Sequence, residues 1–164
     1  MPTQPRRAAP RATVGRSKRV TPSLSDLLTL PTPDGWRRIP VPSGWGFAPT
    51  VDVAAYGEHH EDLPLTVLVA RLSTDPTGSP ARTLSDLMDR RVRRGEPAWR
   101  SDHIAGVPVV ACAWAEDGVE RFTWFVPFSS GVIVEFQAVR LRSSTCGSPL
   151  QEAARPILDA VVWR

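Results

Sequence analysis

The sequence predicts one α+β domain built on a central, mostly antiparallel sheet and preceded by a basic tail. Three observations predict it. Val107 to Arg142 reads as three consecutive strands joined by tight turns. Leu65 to Leu72 is apolar on both alternating faces, the pattern of a strand covered on both sides. Two segments, 83–94 and 148–158, place apolar residues at helical spacing behind recognisable helix starts.

The 164 residues suffice for one domain and not comfortably for two. A domain of this size buries roughly two-thirds of its unfolded surface, so it needs no disulfide or metal to fold. Two cysteines make no disulfide framework. Cys112 sits mid-strand between Ala111 and Ala113, where a small apolar residue belongs, and Cys146 lies in a Ser/Gly-rich stretch. The formal charge of +3 is uneven. Residues 1–20 hold six of the twenty Lys and Arg and no acid, leaving fourteen basic and seventeen acidic residues beyond them. We therefore divide the chain into a disordered basic tail, 1–20, and a single domain, 21–164. No run is long and apolar enough for a membrane span. The basic start lacks the apolar core of a secretory signal, so the expected location is the cytoplasm.

Taken in order, Leu24 to Leu28 predicts a short helix with Ser23 as N-cap and Asp26 three residues on, stopped by Pro31 and Pro33. Asp34-Gly35 turns the chain into a strand from Trp36 to Val41. Thr50 to Tyr56 reads as a strand, residues 57–62 as a polar loop, and Leu65 to Leu72 as a central strand. Thr83 caps a helix to Arg94, with Leu84, Leu87, Met88 and Val92 on one face and Gly95 past its end. Trp99 to Ile104 reads as an edge strand. It turns at Ala105-Gly106 into the block Val107–Glu116, Val119–Val126 and Val132–Arg142, expected to form half or more of the sheet, with one dry face and one mixed face. Ser148 as N-cap and Pro149 at N1 start a last helix, which Pro156 should bend. Residues 160–163 predict a closing strand.

The residues suited to chemistry are sparse. His59, His60, Glu61 and Asp62 cluster in sequence, but adjacent side chains diverge and lack the spacing of a metal site. Cys112 with His103 could pair as nucleophile and base, yet a thiolate is unfavourable in an apolar strand. There is no phosphate loop, nucleophile elbow or dinucleotide fingerprint. The expectation is a protein that is no enzyme, with no catalytic residue, cofactor or metal.

The order of elements, with Pro40 to Trp45, Leu65 to Leu72, Val107-Pro108-Val109, Asp117-Gly118 and the strand after Gly131, resembles the LpqN-type lipoprotein family of actinobacteria and the PsbP-like fold. The resemblance covers roughly residues 22–164. It implies an α/β/α sandwich, a non-enzymatic binding or assembly module and, as the alternative to the cytoplasm, an envelope or secreted location, but this chain shows no apolar signal or lipid-bearing cysteine. The leading expectation is a protein-interaction module with an unidentified protein partner, its candidate contacts being Trp36, Trp45, Trp99, Arg90 and Arg94, because Trp and Arg are enriched at interface hot spots. The alternatives are nucleic-acid binding through the tail, whose arginines lack interleaved aromatics, and a metal-dependent hydrolase using residues 59–62.

Overall fold

Alternation between apolar and polar residues sets the strands, and the computed structural model shows how they pair. It describes residues 22–41, 53–60, 63–74, 99–116, 118–128, 132–141 and 149–164. The elements are α1 (Leu24–Leu27), β1 (Leu28–Thr29), β2 (Trp36–Ile39), β3 (Val53–His60), β4 (Leu63–Thr74), β5 (Arg100–Ile104), β6 (Val107–Glu116), β7 (Val119–Pro127), β8 (Val132–Leu141), α2 (Leu150–Leu158) and β9 (Val162–Trp163). A seven-stranded sheet runs in the order β2-β3-β4-β8-β7-β6-β5, and all its pairs are antiparallel. β1 and β9 form a separate two-stranded pair. The fold is thus α+β with a central antiparallel sheet.

β5 lies at the outer edge and β4 in the interior, as expected. The block β6-β7-β8 is contiguous but supplies three of the seven strands, slightly less than half. Its expected mixed face is also buried: Arg121, Thr123, Glu135 and Gln137 are as enclosed as Phe122, Trp124 and Phe136 on the opposite face. One face is covered by α2, whose Leu150, Ala154, Ile157 and Leu158 join Leu68, Val109, Trp124 and Phe136 in the main apolar cluster. The helix expected over 83–94, which would complete a sandwich on the other face, lies outside the described residues.

Several boundaries differ for local reasons. The polar loop expected over 57–62 is strand as far as His60, because β3 continues past a register shift after Glu58 and pairs His59 with Pro64 and His60 with Leu63. Pro149 is the N-cap of α2 and not its first helical residue; its carbonyl accepts the first helical bond, from the Ala153 N–H (3.1 Å). Pro156 lies inside α2 and does not end it. The closing strand pairs with β1, not with the main sheet. There the Arg164 N–H donates to the Leu27 carbonyl (3.0 Å), while the Trp163 ring packs against Phe128 and edge-on to Phe136.

The β5–β6 hairpin turns on Ala105 at φ +46° and Gly106 at φ +80°, both left-handed, as a two-residue hairpin turn demands. Alanine is strained there and glycine is not. Ala105→Asn, which suits this turn and keeps the Cβ, should raise stability by about 0.5–1 kcal/mol. Gly106→Ala, with nothing near its added methyl, should lower it by about 1–2 kcal/mol through conformation alone. Urea unfolding of the two variants checks both signs.

Candidate functional site

Three groups of polar residues stand out, and only one faces outward. The first is buried on the sheet face opposite α2. Arg71 on β4 and Glu135 on β8 are register partners and form a two-pronged pair, Nε to Oε2 and Nη2 to Oε1, each 2.8 Å. Glu135 is 1% exposed and Arg71 21%. One pair further along, Arg121 Nη1 donates to Gln137 Oε1 and Gln137 Nε2 to Thr123 Oγ1, both at 3.3 Å. Planar guanidinium matches planar carboxylate, so the Arg71–Glu135 pair is both strong and directional. These groups hold β4, β8 and β7 in one register.

The second group joins the sheet edge to the helix. Asp102 on β5 accepts from the Trp124 Nε1–H of β7 (2.8 Å), from Arg155 Nη2 of α2, and through its other oxygen from the His103 N–H (2.8 Å). Arg155 Nη1 also donates to the His103 carbonyl (2.7 Å). Burial pushes the Asp102 carboxyl up. Donation from Arg155, then Trp124 and His103, outweighs that and holds it below the ordinary carboxylate range. Arg100 lies over the Phe122 ring beside it, 4.4 Å from the centroid.

The third group is the outer edge of β2. Arg37 and Arg38 are exposed, and no described residue pairs with either side chain. The Trp36 N–H donates to the Pro33 carbonyl (3.1 Å) in the turn through Gly35 (φ +82°), not to its strand partner Glu58. In an antiparallel pair alternate residues direct their main-chain groups inward and outward. Arg37 and Ile39 therefore bond β3, while Arg38 turns its N–H and C=O away from the sheet. Pro40, next in the outward set, has no N–H to offer.

Of the residues expected at an interface, the two that are described, Trp36 and Trp99, do not come together. Trp36, a candidate contact, is 8% exposed and belongs to the apolar cluster with Leu24, Leu28 and Leu68. Its ring follows the inward face of β2 because a large aromatic there closes the end of the core. Trp99 is half-buried at the opposite edge, tilted against Phe125 (5.6 Å) beside Cys112 and Ile133. Six strand spacings separate the two edges, roughly 29 Å, so Trp36 and Trp99 share no patch. Trp45, Arg90 and Arg94 lie outside the described residues.

The chemical alternatives gain no geometry. No three His, Cys, Asp or Glu side chains are grouped to hold a metal among the described residues; Glu61 and Asp62 lie outside them. Cys112 is fully buried and opposite Thr123. His103 pairs with Pro108, four residues from Cys112 along β6, about 14 Å away, so the two cannot act as nucleophile and base. Among the described residues no helix is long and apolar enough to cross a membrane.

No protein-family model matches the chain, and comparison with curated proteins finds no match. A solved protein of Bacteroides thetaiotaomicron VPI-5482 shares the fold: TM-score 0.51 at 10% identity, over 84% of this chain. The chain spans 45% of that protein's length. LpqN of Mycobacterium tuberculosis, described as involved in cell envelope biogenesis, aligns over 83% of this chain and 82% of its own at 20% identity, with TM-score 0.49.

Two stability measurements follow. Asp102→Asn keeps the shape but removes the charge that three donors address, and should lower stability by about 2 kcal/mol. Because the folded carboxyl titrates below its unfolded value, its contribution is present above the unfolded value, about pH 3.9, and fades as pH falls through the folded one. Unfolding curves of the variant should therefore depend less on pH between about 5 and 2 than those of the parent. Glu135→Leu should cost about 3–5 kcal/mol, with much of it recovered in the Arg71→Met/Glu135→Leu pair, because the lone partner is the expensive state. A double-mutant cycle that shows simple additivity would refute the coupling.

Proposed function

We propose that the chain is a non-enzymatic protein-interaction or assembly module. The observation that carries this reading is the outer edge of β2, where two arginines and an outward-facing backbone meet solvent. The two strongest polar groups elsewhere in the described fold, at Glu135 and Asp102, are engaged internally. Glu135 is clamped by Arg71; Asp102 is held ionised by three donors, which does not suit it to give or take a proton in a reaction cycle. The LpqN-type motifs at Pro40–Trp45 and Val107–Val109 favour the same class and an actinobacterial-type cell as its setting.

Affinity capture with cross-linking from the source cell tests the reading, using the full chain and a chain lacking residues 1–20 as parallel baits. The expected result is the same protein partner with both. Repeated recovery of the protein alone would count against the reading. Salt-sensitive nucleic-acid capture that vanishes with the tail would replace it with nucleic-acid binding.

A further inference from the structure

We propose that β2 is a docking strand: an acidic, extended segment of a partner protein adds to its outer edge as an eighth strand. This rests on the interaction-module reading and supplies the partner's chemistry.

The two edges of the sheet are finished differently. At β5 the outward groups of His103 are occupied, its N–H by Asp102 and its C=O by Arg155, and Trp163 Nε1 donates to the Ile104 carbonyl (3.2 Å). A strand approaching there would have to displace an ion pair and a tryptophan. At β2 no described side chain or main chain meets the outward N–H and C=O of Arg38. Among the described residues, that edge carries only charge. Arg37 stands opposite Gly57 and Arg38 opposite Tyr56, consecutive positions that alternate between the two faces. An added strand would meet one guanidinium on each side.

Charge selects the occupant. A second copy joined edge to edge in antiparallel fashion about its outward residue would set Arg38 against Arg38 of its twin with both Arg37 side chains close by, four cations in one place. That is the repulsion by which charged edges resist self-pairing. The chain's own residues 1–20 carry six basic residues and no acid, so they are repelled as well. An acidic segment gains main-chain bonds at Arg38 and a charge pair on each face. The arginines thus reject like strands and accept an opposite one. Pro40 limits the edge to a short segment, since it offers a carbonyl and no N–H.

The test uses the full chain and a nine-residue capped peptide of threonine and valine carrying two pairs of adjacent glutamates. Its control has lysine at the glutamate positions. The acidic peptide should bind, weaken as salt rises, and slow amide hydrogen exchange at Arg38 by about tenfold. Arg37→Glu/Arg38→Glu, both at exposed sites, should lower its affinity by about tenfold and shift preference to the lysine peptide. Arg38→Pro, with folding checked by circular dichroism, should remove binding while keeping the charge of Arg37. Equal binding of both peptides, or unchanged exchange at Arg38, overturns the proposal. A captured partner that binds Arg37→Glu/Arg38→Glu as tightly as the parent also overturns it and leaves the interaction module standing. Failure to capture any partner, with the peptide protecting Arg38, does the reverse.

Discussion

Val132 to Arg140, nine consecutive residues of β8, are buried, and Glu135, Gln137 and Arg140 are among them. A polar side chain removed from water must find its bonds inside the protein, and a charged one must find an opposite charge. Glu135 takes Arg71 from β4, Gln137 links Arg121 and Thr123 of β7, and Arg140 lies 3.5 Å from Glu120. These bonds reach to the neighbours on both sides. Sliding either neighbour by one residue would turn its partner groups to the wrong face and leave charges enclosed. The polar set therefore specifies the register, and apolar pairs such as Trp124 with Phe136 fall into place under it.

The Asp102 node performs the equivalent task between layers. Apolar packing of α2 on the sheet is weakly directional, since Leu150, Ala154, Ile157 and Leu158 could meet a pleated surface at more than one angle. Arg155 removes that freedom by reaching both Asp102 and the His103 carbonyl. The same contacts occupy the outward N–H and C=O of His103 on β5. Helix docking thus also guards part of one sheet edge with bonds, while among the described residues the other edge carries charge.

How much of this could be read from the residues depends on range. The strands of the β6–β8 block were legible because strict alternation and the turn glycine Gly118 are local signals. The central place of β4 followed from its two apolar faces. The extension of β3 through His59 and His60 was not legible, because polar residues near a turn signal resemble a loop, and pairing with β4 decides the matter. Burial of the Arg121 and Glu135 face was hidden for the same reason: a polar residue in a strand suggests water until its partner is known. Arg71 and Glu135 are 64 positions apart and Asp102 and Arg155 are 53 apart, beyond any periodicity. Trp36 could be read either way, since its type suits both cores and interfaces and only its place on β2 distinguishes them. Arg37 and Arg38 did leave a trace, as adjacent cations in a short strand next to proline are a common guard of sheet edges.

The pairing of β1 with β9 also governs when the fold can be completed. β1 is the earliest described strand and β9 the latest, and the Arg164 N–H to Leu27 carbonyl bond joins one to the other. β4 likewise waits for β8. A chain emerging from the ribosome presents β4, with its buried-to-be Leu68 and Val69, long before the strand that will cover its edge. Such an order makes folding slow and leaves an apolar strand exposed meanwhile. The edge of β4 therefore stays uncovered until β8 has been made.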